Sequence, residues 1–344
     1  MKRFFELAFI LTSALLLGSR CAHSAEPHLV RASFSAMGTE VSFAVFTVDD
    51  VGGQKAIGDA ISEIRRLEAM MTTWRDDSEI SRINQNAGIQ PVAVSPETIE
   101  VIDAAEQSSK LSGGAFDISF YALKGLWHFD EDREAKIPPL AEIKKRLSLI
   151  DYRKIKVDHE KRTVFLEKKG MAINLGGIAK GYAVDRAVAV LKRAGFANAI
   201  VQAGGDLMCA GSKAGQPWTS GIRDPRGARG EVFAVMRLVD HAFSTAGDYE
   251  RYFVIDGKRY HHIIDPRTGF PAMQSRSVTI YAPNATLADG IDDAIFILGW
   301  KKGFEMLDKL DDVGAVVVDG EGQVHISKRV QDRVQIVHPP TPGL

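Results

Sequence analysis

Tyr260-His261-His262-Ile263-Ile264-Asp265-Pro266-Arg267-Thr268-Gly269 sets the character of this chain. A pair of histidines precedes a short apolar run that ends in a sharp turn. Pro266 fixes φ, Gly269 permits φ > 0, and Asp265 can bond its own backbone, so the turn can be rigid. An acid/base side chain is thereby carried on a strand leading into that turn. By itself the stretch would be no more than a strand, a turn and a surface histidine. Two further polar clusters, around Asn174 and Asp289, share its character.

Outward from this stretch the chain mixes hairpins and helices. Ile255-Asp256-Gly257-Lys258 signals a hairpin immediately upstream. Downstream, 277–281 reads as a strand, 287–298 and 304–310 as helices, and 316–319 with 324–327 as a hairpin around Gly320-Glu321-Gly322. Towards the N-terminus, Val41, Phe43 and Val45 alternate with smaller residues as in a half-buried strand. Ile57, Ile61, Ile64, Leu67 and Met71 recur at helical spacing, and Ser95-Pro96-Glu97 opens a second helix that runs towards Leu111. Residues 154–158 and 163–167 look like two strands, 179–193 like a helix stopped by Gly195, and 199–203 like a short buried strand. There is no regular strand–helix repeat, so the expected class is α+β: one compact unit with mixed or antiparallel sheets and flanking helices.

The 344 residues are 45% hydrophobic and 25% charged, enough to bury a large core. A net charge of −1 gives no global electrostatic argument for nucleic acid. Lys2 and Arg3 precede the apolar run 7–17, which is too short to span a bilayer and is followed by small residues. This is the order of a secretory signal, with 1–24 as the leader and 25–344 as the mature domain. The expected location is therefore periplasmic. Cys21 raises the alternative of a lipoprotein anchored at the inner membrane, although Arg20 stands where a small residue is expected. With Cys21 removed, Cys209 is the only thiol, and it is expected to pack as a small hydrophobe.

Asn174-Leu175-Gly176-Gly177-Ile178-Ala179-Lys180-Gly181 is a glycine-rich loop running into a helix, where backbone N–H groups could approach phosphate oxygens. It matches neither a Walker loop nor G-x-G-x-x-G, and tight strand-to-helix turns need glycine as well. Asp289 and Asp293 lie four residues apart, so both carboxylates project from one face of an otherwise apolar helix. A hard divalent cation such as Mg²⁺ is a natural partner, whereas Asp292 reads as added charge. Ser112-Gly113-Gly114-Ala115-Phe116-Asp117 and the polar turn at Trp74 could supply stacking faces for a planar ligand. Together these features imply Mg²⁺-assisted chemistry on a phosphoanhydride that carries a flat ring.

At this point the chain resembles the ApbE-type FAD:protein FMN transferases over nearly all of its mature length. The matching motifs are Met37-Gly38-Thr39, Asp77-Ser78-Glu79-Ile80-Ser81, Gly114-Ala115-Phe116-Asp117 and Asn174 to Gly181. They continue with Gly204-Gly205-Asp206, Ser244-Thr245-Ala246-Gly247-Asp248-Tyr249, His262 to Gly269, and Ala288-Asp289. The resemblance implies FAD as donor, Mg²⁺ at its pyrophosphate, and attack by an acceptor threonine hydroxyl with release of AMP. By position it implies flavin contacts at Met37, Trp74, Ala115, Phe116, Asp117, Asn174, Lys180 and Ile264. Metal positions fall on the Gly177 carbonyl, Asp289 and Asp293, and the general base on His262 rather than His261. Trp74 stands where tyrosine is common, Asn174 where an acid is common, and Asp293 where threonine is frequent. The acceptors implied are flavoproteins such as exported subunits of respiratory redox complexes. Two competing functions share these residues: an FAD pyrophosphatase forming FMN and AMP, and a non-catalytic FAD-binding protein.

Overall fold

The computed structural model describes residues 26–129 and 135–343, so the expected leader and Cys21 lie outside the described residues. Its centre is an eight-stranded sheet. In spatial order the strands are His28–Ala36, Thr39–Thr47, Ala199–Ala203, Asp206–Ala210, Ala242–Gly247, Ser275–Ala282, Gly314–Asp319 and Val324–Ile326. Every neighbouring pair is antiparallel.

Successive side chains on a strand point to opposite faces, and here both faces are covered. Val41, Phe43, Val45, Val201, Met208, Val278, Ile280 and Val317 enter one core. Leu207, Cys209, Phe243, Tyr281, Val316 and Val318 enter a second. Helices Asp50–Met71, Pro96–Leu111, Ala179–Arg193 and Ala285–Leu298 bury their apolar residues in the first core. A small antiparallel sheet of Trp218–Arg223, Val232–Leu238 and Val334–Ile336 closes the second. Double coverage explains why Asp206–Ala210, buried at all five positions, carries no alternating pattern in sequence. Cys209 is fully buried, as expected, and burial raises its thiol pKa.

The helix starts follow their caps. Ser95 accepts from the Thr98 N–H with Pro96 in the first turn, an arrangement worth about 1 kcal/mol. The helix expected from residue 56 begins at Asp50, because Asp49 caps Gly52. The helix expected at 304–310 is instead Trp300–Leu307. Gly299, at φ +77°, ends the Ala285–Leu298 helix with an N–H bond to the Ile295 carbonyl and starts the next one directly.

Candidate active site

The site is built where two helices touch. A Cβ on Gly181 would sit 2.2 Å from the Ala285 carbonyl oxygen and 2.8 Å from Asp289 Cβ, so this glycine is what allows the two helices to meet. The contact places the Gly181 N–H against Asp289 Oδ2 at 2.8 Å. Lys180, one residue earlier, reaches Asp206 Oδ2 at 2.8 Å and Asp289 Oδ1 at 3.4 Å. The N–H array expected to cradle phosphate is largely used internally. Gly176 N–H donates to Asn174 Oδ1, and Ile178 and Ala179 donate to the Leu175 carbonyl. The loop is therefore a folding element first, and the acids behind it carry the stronger chemistry.

Asp206 is delivered by the sheet. Antiparallel pairing of Phe243 with Leu207 brings Ser244 beside Asp206. Ser244 Oγ lies 2.5 Å from Asp206 and 2.6 Å from Asp292. A hydroxyl has one proton to donate, so both contacts are satisfied only if one of the carboxyls holds a proton of its own. Burial, followed by the Asp293 and Asp289 charges, raises the Asp292 pKa well above the carboxylate range. A chain of hydrogen bonds runs from Asp292 through Ser244 to Asp206, which pairs with Lys180. Burial and the Asp206 charge also raise Asp289, while Lys180 opposes the shift. Burial raises Asp293, again against Lys180.

Asp206, Asp289 and Asp292 each offer a carboxylate oxygen within 4.8 Å of the others. An all-oxygen donor set with more negative charge than Lys180 can balance fits a hard cation such as Mg²⁺ or Ca²⁺. Asp293 is not in that group; its carboxylate faces Gly177, where a Cβ would come within 3.2 Å of Oδ2. Of the expected trio, Gly177 and Asp293 are adjacent, while Asp289 sits with Asp206 and Asp292 in the buried acid group. Those two residues and Ser244 had no role from sequence beyond motif membership or added charge. The spacing of Asp289 and Asp292 on one helix was the only local signal for Asp292.

The two histidines differ in their surroundings. His261 is buried, lies 2.6 Å from the Ala272 carbonyl through Nε2, and packs edge-on to Phe296. His262 follows the strand Lys258–His261 and is fixed by its N–H bond to the Arg251 carbonyl at 3.1 Å. Its Nδ1 is buried with no hydrogen-bond partner among the described residues. Burial first, then the neighbouring His261, Arg251 and Lys180, lowers its pKa to about 4, so it is neutral at pH 7. The turn beyond is closed by Thr268 and Gly269 N–H groups on the Asp265 carbonyl, with Gly269 at φ +74°.

The residues expected to meet a flavin fall into two groups. Phe116 and Asp293 both abut Gly177. Asn174 donates to Thr73 Oγ1 at 3.2 Å, which ties it to the turn bearing Trp74, and Trp74 itself is 92% exposed. Met37, at φ +52°, occupies the turn whose Gly38 lies near the Arg251 guanidinium. Ile264 forms a short strand after His262. Ala115 is fully buried. Asp117 is tied into its own loop: its oxygens accept from Ser119 N–H, Ser119 Oγ and Tyr152 N–H. These bonds fix the loop behind Phe116. Lys180 likewise sits within the acid network.

Residues 37–317 match the model of the ApbE family. The chain belongs to the ApbE family. It is 34% identical over 297 residues to a protein of Treponema pallidum named FAD:protein FMN transferase, covering 82% of each chain. A Klebsiella pneumoniae protein of the same name is 31% identical over 298 residues, 86% of this chain and 91% of that one. Among solved structures, the ApbE protein of Thermotoga maritima superposes with a TM-score of 0.81 at 34% identity, covering 88% of this chain and 97% of that one. The flavin transferase ApbE of Vibrio cholerae gives 0.79 at 26% identity, covering 89% and 99%. The α+β architecture is that of the ApbE structures.

Proposed function

We propose that this ApbE-family chain is an FAD:protein FMN transferase, moving FMN from FAD to a threonine of an exported acceptor flavoprotein and releasing AMP. The observation that carries this reading is the neutral His262 imidazole, whose buried Nδ1 has no hydrogen-bond partner among the described residues. A threonine hydroxyl needs a proton acceptor as it attacks phosphorus, and a neutral imidazole provides one. The new O–P bond joins threonine to FMN, the pyrophosphate P–O bond to AMP breaks, and the hydroxyl proton goes to His262.

Asp289 and Asp293, with the Gly177 carbonyl, would hold Mg²⁺, and Asp206 and Asp292 would support them from beneath. When bound, that cation would supply charge neutralisation on the transferring phosphoryl group. Lys180 holds Asp206 and Asp289 in place. Trp74 and Phe116 supply ring faces for the isoalloxazine, and Asn174 a neutral hydrogen bond. The signal-like residues 1–24 suit acceptors that are exported, such as flavin-bearing subunits of respiratory complexes, with action in the periplasm.

Incubation with FAD, Mg²⁺ and a candidate acceptor, followed by mass spectrometry, tests the proposal. FMN covalently attached to a threonine is the expected result. Free FMN and AMP without an adduct on any acceptor tried would favour the pyrophosphatase, and FAD binding without turnover would favour a non-catalytic binder.

A further inference from the structure

A cavity of about 260 Å³ lies beside the strand Lys258–His261, away from the acid cluster, with His261 in its wall. It is smaller than the roughly 300–1,000 Å³ typical of drug-sized ligands, so a dinucleotide would not fit inside it. Its lining carries Arg226, Lys258, Arg259 and Arg276 against a single carboxylate, Asp248. Asp248 is already committed, because it takes two parallel 2.7 Å bonds from Arg226 with both side chains buried. Asp319, whose charge also reaches Arg276, lies 2.7 Å from His325 Nε2. Arg276, whose Nε donates to the Gly320 carbonyl, therefore makes no ion pair of its own among the described residues.

Two features aim this charge. Ser275 pairs with Asp319 and Ser277 with Val318, so Arg276 is the extra residue of a β-bulge. Bulges re-aim side chains, and here the guanidinium lines the cavity with its Nε held by the Gly320 carbonyl at 3.2 Å. Ser275, 3% exposed and also in the wall, has a buried hydroxyl with no hydrogen-bond partner among the described residues. Arg226 Nε is buried and unbonded as well. A buried donor without an acceptor costs about 1–3 kcal/mol, and an oxyanion would relieve that cost.

We propose that this cavity binds a small oxyanion of the phosphate class, inorganic phosphate or a phosphomonoester, through Arg276, Arg226 and the Ser275 hydroxyl. Guanidinium groups match tetrahedral oxyanions in bidentate fashion, and a hydroxyl supplies a further donor. The site is separate from the residues assigned to FAD and does not depend on the transferase reading.

Calorimetric titration of the full described chain in low-salt buffer with EDTA tests it, using inorganic phosphate, AMP and malonate in turn. Saturable one-to-one binding of phosphate or AMP is expected, and the tighter of the two identifies the source. Arg276→Gln should weaken binding by roughly tenfold or more, and Lys301→Gln, outside the cavity, should not. Ser275→Ala is the control for folding. It removes a hydroxyl that bonds nothing in the free protein, so thermal stability should hold while phosphate affinity falls. No phosphate or AMP binding, wild-type affinity in both Arg276→Gln and Ser275→Ala, or equal affinity for malonate overturns the proposal.

Discussion

Lys180 Nζ lies 2.8 Å from Asp206 Oδ2, although the rest of the helix Ala179–Arg193 and the strand Ala199–Ala203 separate the two in sequence. The Asp206 side chain is 3% exposed, so this pair sits at the floor of the site. It holds one end of a hydrogen-bonded chain that continues through Ser244 to Asp292. Removing one partner of a buried pair leaves the other uncompensated, which is far costlier than losing a surface bridge. Lys180→Met should therefore lower unfolding stability by about 3 kcal/mol, the low end for buried pairs because Lys180 is partly exposed. Urea denaturation checks this, and a loss below about 1 kcal/mol, typical of surface pairs, would remove Lys180 as the anchor of the network.

The acid layer yields a prediction about the cation. Asp289→Ala should abolish Mg²⁺-dependent AMP release from FAD while the circular dichroism spectrum stays native. Asp293→Thr should remain active, since threonine keeps a hydroxyl oxygen at the position beside Gly177. Undiminished turnover in Asp289→Ala would take the acid cluster out of the mechanism.

Opposite consequences are expected of the two histidines. His262→Ala should still bind FAD but lose transfer by roughly 10²–10⁴-fold. His261→Ala should keep most of the chemistry and lose stability instead, because it leaves the buried Ala272 carbonyl without its bond, a cost of about 1–3 kcal/mol. Single-turnover kinetics and denaturation of both variants would expose a reversed assignment.

The pH dependence follows from the direction of each shift. Burial raises Asp289 to about 7 and Asp293 to about 6, and Asp292 is also raised. Between the ordinary carboxylate range and about pH 7 the folded state thus binds more protons at these acids than the unfolded chain. Their contribution to stability is present at low pH and is lost as pH rises through 6–7. His262, lowered to about 4, works the other way and costs stability as pH falls from 6.5 towards 4. With three acids against it, the metal-free protein should melt at a higher temperature at pH 5.5 than at pH 8. Added Mg²⁺ should raise the melting temperature more at pH 8, where the carboxylates are charged. A larger Mg²⁺ effect at pH 5.5 would contradict the placement of the cation among them.

Trp74 supplies an optical test. At 92% exposed it differs from Trp218, which is 5% exposed and bonds the Ala210 carbonyl through Nε1. FAD should quench its red-shifted emission, Trp74→Ala should lose most of the quenching, and FAD should bind much more tightly than ATP. Equal affinity for FAD and ATP would mean that the flavin ring is not recognised.

Local chemistry made part of this protein legible in sequence. The 255–258 hairpin, the Pro266–Gly269 turn, the capped helix at Ser95, and the shared helical face of Asp289 and Asp293 all depend on residues within a few positions of one another. Short-range geometry fixes such features before any fold is known. Tertiary structure alone decided the rest. Asp206, Ser244 and Asp292 meet through antiparallel register and a glycine-mediated helix contact, which link residues 38 and 48 positions apart. Strand Asp206–Ala210 was hidden because a sheet covered on both faces loses the alternation that marks a strand. The surroundings of Asp117 were set by both, since its carboxylate accepts from nearby Ser119 and from Tyr152, which packing brings to it. A carboxylate's role depends on which donors reach it, and here one of those donors arrives from a distant part of the chain.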